Sequence, residues 1–518
     1  MCVRNHEVDS LESLFTTTAF FAQILKGERL KEKPLVFSPH CSLLSPCGFA
    51  TLGGTAQMNK TFNKIRPLFE PQSIAFIGAT SNRKKWGNLI LSQLLHNGYK
   101  GRIYAVNPTE RESILGLKPF PNVSAIPESP DLAVIVTPQA TVPDVVRECV
   151  RKRAKACLVI TAGFAELARK EEEKIEQEIV EIARNGNMVL AGPNSNGIAS
   201  SPSSLCVLMS KRLGLAHQGS ISITSRSGSV GTTVAGICIK RKIGFSRFVS
   251  NGNEADLHIE DYIEYYGEDD KTEVILGYTE GIKDGERFLK ITKRVSREKP
   301  IIMLMSGVSE EGAKAAHYHT AASYEGQESL YQRACQESGI IRVDDIEEIY
   351  SIGASFLRQP LPKGKRVGIL AVGGGWGVVA TDACVKAGLE VVKLPEETLG
   401  ELDKFLPWWW SRNNPVDTGA SFELRGCLEV LAACSAIDMI LVMWVAGKEM
   451  TPVEEILPVM ENLLEKYHKP VILCSGGYEN EEAVEELGKR QLVAFHSINQ
   501  AVKALTSLAR YSEYLSGI

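Results

Sequence analysis

The chain has 518 residues, 44% hydrophobic and 23% charged, the make-up of a globular protein with room for about three domains. Its net charge of -4, with no basic stripe interleaved with aromatics, excludes nucleic acid as an expected partner, and no apolar run approaches the roughly 20 residues that cross a membrane. Twelve cysteines without a Cys-x-x-Cys pair argue against a zinc ribbon or redox dithiol and suit free, mostly buried thiols in a reducing cytoplasm.

Residues 1–60 differ from the rest, with a short apolar stretch around Phe20-Phe21 followed by a Pro, Ser and Gly mixture. Acidic Glu7, Asp9 and Glu12 precede the apolar part, so a signal peptide is not expected. This segment reads as a disordered leader, or as the product of an upstream start codon with Met58 as the true beginning.

From Ser73 strands and helices alternate. Ser73–Gly78 reads as a buried strand, 79–87 as a loop and 88–97 as a helix; the next strand, 102–106, ends at Asn107-Pro108. Strands at 132–136 and 156–160, with a helix at 141–152 between them, continue a parallel Rossmann-like sheet that closes at 188–191 and the turn Gly192–Gly197. The loop after the first strand has little side-chain bulk at Gly78-Ala79-Thr80-Ser81 and carries Arg83, Lys84 and Lys85, so its cations and backbone N–H groups can meet a phosphate at a helix start. A plain strand-to-helix turn explains the same residues. The loop is not Gly-x-Gly-x-x-Gly, and Asn107 stands where an NAD ribose would want a carboxylate.

A second α/β unit opens with the strand 220–224 and the turn Ser225-Arg226-Ser227-Gly228-Ser229 before a helix to Lys240. Hydroxyls and a glycine at a helix N-terminus suit either a phosphate or simple serine capping. The strand 274–278 delivers Glu280, and the strand 300–305 leads to Gly312–Gly326, read as a loop that holds His317 and His319. In open α/β sheets ligands collect at such strand ends. A neutral imidazole can attack phosphorus and pass the phosphoryl group on, and a carboxylate such as Glu280 can fix its tautomer. A surface His-x-His beside an exposed acid is the other reading.

After the linker 359–365 a third α/β unit begins, with a strand at 367–372, the glycine turn Gly373–Gly377, and further strands at 439–444 and 470–474. Trp408-Trp409-Trp410 is too apolar to sit in water unless it packs on a neighbour and reads as an interface ahead of a domain core, which stays the other reading. No P-loop pattern occurs.

Taken in order, Gly78-Ala79-Thr80, Ala105–Pro108, Gly192-Pro193-Asn194, Ser225–Gly228, Gly252-Asn253-x-x-Asp256, Glu280-Gly281, His319-Thr320 and Asn414–Asp417 closely resemble the α subunits of ADP-forming (NDP-forming) acyl-CoA synthetases, relatives of succinyl-CoA ligase. The likeness spans about residues 64 to 512. It implies three Rossmann-like or flavodoxin-like doubly wound units: a CoA-binding domain at 64–197, a succinyl-CoA-ligase-like domain at 215–358 and a third flavodoxin-like domain at 363–518. By the same likeness, coenzyme A meets Gly78, Ala79, Thr80, Ser81, Lys84, Asn107, Pro108, Thr137, Pro138 and Asn194. His319 would carry the phosphoryl group, oriented by Glu280, with Ser225, Ser227, Gly228 and Ser229 holding it. ADP or ATP with magnesium, and a second helix end of this kind, would belong to an ATP-grasp β subunit in a hetero-oligomer, and this chain would hold no metal itself.

The chain departs from the family pattern Ser-His-Thr-Gly: Tyr318 precedes the histidine, Ala321 replaces the glycine, and the loop is one residue longer before Tyr331. Ser195 stands where cysteine is frequent. Two other classes compete with the enzyme reading. A non-catalytic CoA or acyl-CoA sensor or scaffold is suggested by those departures, and an NAD-dependent oxidoreductase by the first unit.

Overall fold

The computed structural model describes residues 55–517 apart from 211–217, 321–326, 420–422, 445–452, 476–485, 491 and 493; the side chains of 55–60, 317–320 and 453–455 also lie outside the description. It is an α/β protein built on three sheets. The first has the strand order β3-β2-β1-β4-β5-β6, with β1 Ser73–Ile77, β2 Arg102–Val106, β3 Pro119–Phe120, β4 Leu132–Ile135, β5 Ala156–Val159 and β6 Val189–Ala191. All its pairings are parallel. Helices cover both faces, so β1, β4 and β5 are buried along their whole length, which is why each reads as an unbroken apolar run instead of an alternating one.

The second sheet runs β13-β12-β11-β9-β10-β7-β8. Its parallel part comprises β9 Gln218–Ser225, β10 Phe245–Ser250, β11 Val274–Thr279, β12 Ile301–Met305 and β13 Ile341–Val343; β7 Gly197–Ser200 and β8 Leu205–Leu208 extend it antiparallel beyond β10. The third sheet runs β15-β14-β17-β18-β19, from β14 Arg366–Ala371, β15 Glu390–Val391, β17 Met439–Trp444, β18 Val471–Ser475 and β19 Ala494–Phe495, with β16 Val416–Asp417 added at the end of β14.

These orders decide where ligands go. A doubly wound sheet opens a crevice at the carboxyl ends of its strands, where the order reverses. In the first sheet that point lies between β1 and β4, and so between Gly78 and Thr137. In the second it lies between β9 and β11, which brings Ser225 and Thr279 side by side, since Tyr278 is in register with Ser225.

The apolar cores cross from one sheet to the next. Ile74 and Phe76 of β1 share a buried cluster with Val249, Tyr262 and Met303, and Ile223 and Leu276 share another with Ile369 and Leu441. Each buried Ile, Leu or Phe side chain contributes about 1.5–3 kcal/mol to folding, so the sheets share apolar cores that a separated unit would expose.

One element departs from expectation. The stretch expected to be a loop from Gly312 is helical through Thr320, in the helix Glu310–Thr320. The Ser309 hydroxyl caps it by accepting the Gly312 N–H at 2.9 Å, Glu310 and Glu311 fill its first turn, and Lys314 pairs with Glu310 at 2.7 Å. Lys314-Ala315-Ala316 then propagates it.

Candidate active site

At the end of β1 the chain must turn sharply under β4. Gly78 has φ +96°, and a Cβ there would lie 2.1 Å from the Val136 carbonyl oxygen, so no other residue fits. Gly87, where the next helix begins, is held equally close, 2.0 Å from the Gly78 carbonyl oxygen by the same measure. Asn88 and Asn107 then fix the loop between them: Asn88 Nδ2 donates to the Thr80 carbonyl at 2.8 Å and Asn107 Nδ2 to that of Ala79 at 2.7 Å.

Over this loop opens a cavity of about 1120 Å³. That is large enough for a nucleotide-sized ligand. Gly78, Thr80, Lys84, Asn107, Pro108, Thr137, Pro138 and Asn194 all line it. Two other expected contacts are placed differently: Ala79 is wholly buried beneath the loop, and Ser81 is exposed on it with its N–H bound to Glu110.

The turn after β6 joins this cavity to the second sheet. Asn253 N–H donates to the Pro193 carbonyl at 2.9 Å, Ser195 Oγ to that of Ser250 at 2.6 Å, and Asn196 N–H to Ser250 Oγ at 3.0 Å. Gly252, at φ +63°, makes this approach possible, because a Cβ there would lie 2.1 Å from the Pro193 carbonyl oxygen. The motif Gly252-Asn253-x-x-Asp256 is thus a brace. Asn253 Nδ2 donates to Glu166 at 2.6 Å and Glu176 at 2.7 Å, Lys283 Nζ reaches the carbonyls of Asn253 and Glu254, and Asp256 accepts from Arg184 and the Leu190 N–H. Burial pushes the Glu176 and Glu254 carboxyls up, and desolvation pushes the Lys283 ammonium down.

At the end of β9, Ser227 caps the helix Gly228–Lys240, its Oγ accepting the Val230 N–H at a long 3.5 Å while lying 3.1 Å from Ser229 Oγ. Ser225 serves the fold, since its hydroxyl donates to the Ser227 carbonyl at 2.6 Å. Arg226 stitches this turn to the end of β11: its N–H donates to the Tyr278 carbonyl at 3.1 Å and its guanidinium reaches the Gly281 carbonyl at 3.4 Å. Glu280 is buried there and accepts the Tyr278 hydroxyl at 2.9 Å. Gly307, at φ +77°, lets the following segment pass close by: a Cβ on it would lie 3.0 Å from the Glu280 carbonyl oxygen and 3.6 Å from Ala316 Cβ. The Glu310–Thr320 helix is therefore anchored at the Glu280 rim, and His319 lies in its last turn, three residues beyond Ala316. The side chains of His317, Tyr318, His319 and Thr320, and all of Ala321–Gly326, fall outside the described residues.

Three family descriptions match in sequence: a CoA binding domain over residues 72–201, a succinyl-CoA ligase like flavodoxin domain over 218–356 and a ligase-CoA domain over 367–514. The α subunit of acetate–CoA ligase [ADP-forming] I of Pyrococcus furiosus is 36% identical over 464 residues, covering 87% of this chain and 98% of that one. This chain belongs to the family of ADP-forming acyl-CoA ligases.

Acetate–CoA ligase [ADP-forming] I of Archaeoglobus fulgidus is also 36% identical, but the match covers 63% of its length and 86% of this chain. Among solved structures, the dinucleotide-forming acetyl-coenzyme A synthetase 1 of Ca. Korarchaeum cryptofilum, in complex with phosphate and ADP, superposes with a TM-score of 0.81 at 33% identity, over 88% of this chain and 98% of that one.

Against this family background, two further residues matter in the site. Glu110 is the first. The Asn107 side chain accepts the N–H groups of Thr109 and Glu110 and curls the chain back, so that Glu110 accepts the Thr80 hydroxyl at 2.5 Å and the Ser81 N–H at 2.9 Å. Burial acts upward on its carboxyl, but the hydrogen bonds from Thr80 and Ser81 hold it below the usual range. A carboxylate therefore does line the cavity, although Asn107 ends the strand. The Ser81 N–H, expected to meet a phosphate, is already engaged with Glu110, and of the loop's cations Lys84 and Lys85 line the cavity. Asn196 is the second: it lines the same cavity and also rests on Gly228 at the start of the Ser227-capped helix.

The tryptophan cluster divides. Trp408 and Trp409 are 95% and 56% exposed, whereas Trp410 is in the core with its indole N–H donating to Asp403 at 2.8 Å. The nine described cysteines are all free, and all but Cys335 are buried; burial pushes Cys149, Cys206 and Cys238 up to about 12. No described helix is long and apolar enough to cross a membrane.

Proposed function

We propose that this chain is the α subunit of an ADP-forming acyl-CoA synthetase that interconverts acyl-CoA, ADP and phosphate with the free acid, ATP and CoA, through an acyl phosphate and a phosphohistidine on His319. The observation that carries this reading is the join between two strand-end sites: the cavity at the β1/β4 reversal and the helix start at the β9/β11 reversal meet at the 194–196 turn. In this reading CoA occupies the cavity, with Lys84 facing its phosphates and Thr80, Asn107, Thr137 and Asn194 along its walls. Phosphate displaces CoA from the thioester beside Ser227, Gly228 and Ser229. His319 takes the phosphoryl group, Glu280 orients its ring, and the histidine segment carries the group to ADP.

The nucleotide and its magnesium are assigned to an ATP-grasp β subunit in a cytoplasmic hetero-oligomer. The names of the Pyrococcus furiosus relatives, both called α subunits, support a partner of some kind. Burial of Glu280 behind the Tyr278 hydroxyl, and its closeness to the Arg226 turn, favour the enzyme over a scaffold that merely binds acyl-CoA.

Intact-mass and radiolabel measurements test the reading. ATP with the partner subunit, or acyl-CoA plus phosphate, should leave an acid-labile, base-stable phosphoryl group on the wild-type chain, and His319→Ala should abolish it. A wild-type chain that takes up no phosphate alongside a competent partner would leave only the scaffold.

A further inference from the structure

One side chain touches both halves of the site. The backbone of Asn196 is fixed, its N–H donating to Ser250 Oγ at 3.0 Å and its carbonyl accepting the Met209 N–H at 2.9 Å. Its carboxamide is half-buried, lines the 1120 Å³ cavity and makes no hydrogen bond to any described residue. It also rests directly on the first residue of the Ser227-capped helix, for a Cβ on Gly228 would lie 2.3 Å from both Asn196 Cγ and Nδ2. Glycine at 228 is what leaves room for it. With no bond to a described residue, the carboxamide is available to a ligand, and it stands where a thioester in the cavity would be met by a phosphate at the helix start.

We propose that Asn196 is a catalytic residue that donates a hydrogen bond to the acyl carbonyl oxygen of the thioester and to the oxyanion that forms from it. The proposal rests on the reading of the cavity as the CoA site and of the helix start as the phosphate site. In the step concerned, a phosphate oxygen bonds to the acyl carbon and the carbonyl electrons move onto oxygen. The carbonyl then re-forms as the carbon–sulfur bond breaks, and the electron pair leaves on the CoA sulfur, which takes a proton from solvent. The carbonyl oxygen is neutral in the substrate and gains negative charge as the phosphate oxygen adds, so a fixed donor helps the transition state more than the ground state. A carboxamide supplies that donor without repelling the incoming phosphate, as a carboxylate would.

Arsenate isolates this step in the full chain assembled with its partner subunit, because acyl arsenate hydrolyses and CoA release reports the first half-reaction alone. Asn196→Ala should lower kcat for arsenate-dependent cleavage of acetyl-CoA by about 10²–10³-fold. KM for acetyl-CoA, and calorimetric affinity for CoA, should stay within about twofold, because the lost bond matters mainly in the transition state. Asn196→Ser, which keeps a shorter donor, should fall between the two, and Asn196→Asp should be at least as slow as alanine. Phosphorylation of the chain by ATP through the partner should be unchanged in all three. Arsenolysis within about twofold of wild type in Asn196→Ala, or a parallel loss of CoA affinity and kcat, would overturn the proposal. A wild-type complex that shows no arsenolysis would overturn the acyl-CoA ligase reading, and the proposal with it.

Discussion

Glu280 is a carboxylate that the fold has taken out of water and given a donor. It is 7% exposed, and Tyr278, two residues back near the end of β11, offers it a hydroxyl at 2.9 Å. Burial and the neighbouring carboxylate in turn hold the Tyr278 phenol well above its ordinary value, so it stays a donor at every physiological pH. Such a carboxylate is suited to orienting a histidine and steadying its positive charge. Glu280→Gln preserves the shape and can still accept from Tyr278 but removes the charge, so phosphorylation of His319 should slow by roughly ten- to a thousand-fold with the fold intact. Rapid-quench labelling measures this, and wild-type rates in the variant would remove Glu280 from the mechanism. The residue types at 280 and 225–229 were legible in the sequence because the first follows an apolar run and the second an alternating Ser-Ile-Ser-Ile strand closed by a glycine turn. Glu110 was not, because its position depends on the Asn107 turn that folds it back onto Thr80, and a search for an acid at the strand end stops three residues short of it.

At the scale of elements, the braced turn holds the site together. The 192–197 turn comes from the first sheet and the 250–256 loop from the second, and they meet backbone to backbone at Gly252. Gly252→Ala places a Cβ in a left-handed conformation and against the Pro193 carbonyl. The conformational strain alone is about 1–3 kcal/mol, and the overlap adds to it. The variant should therefore show a lower urea midpoint together with weaker CoA binding, because Asn194, on the cavity wall, moves with the turn; an unchanged midpoint would show that the loop relaxes freely. Element boundaries were read closely from sequence wherever a β-strand is buried on both faces, as at β4 and β17. They were missed where tertiary context decides. β7 and β8 are four residues each and pair antiparallel at the edge of a parallel sheet, so neither a long apolar run nor a helix-linked repeat announces them. The helix Glu310–Thr320 was masked by Gly312 and by its polar face, although its Ser309 cap and Glu310–Lys314 pair were visible in the sequence.

For the whole molecule, the question is what covers its third unit. The helix Gly374–Lys386 leaves Trp376, Val378 and Val379 exposed, and the neighbouring loop leaves Trp408 and Trp409 exposed. Asp417 draws the two groups together, because its carboxylate accepts the N–H of Gly373, beside Trp376, at 3.2 Å and that of Gly419, against the Trp409 ring, at 2.9 Å. A tryptophan that goes from exposed to buried removes about 150–250 Å² from water, which at about 25 cal/mol per Å² is about 4–6 kcal/mol before the costs of association. Of the occupants such a face could take, the β subunit fits the proposed reaction, since ADP must reach the phosphohistidine from a site that no P-loop in this chain supplies. Trp408→Arg and Trp409→Arg should each weaken association with that subunit by at least about tenfold, the level of a modest interface anchor, and should leave CoA binding by the isolated chain untouched. Sedimentation velocity of the mixed subunits reads the first and calorimetry the second. The isolated wild-type chain should make no ATP from acyl-CoA, ADP and phosphate. Turnover by that chain alone would place the nucleotide site within it, and association unchanged by both substitutions would give the tryptophan face some other use.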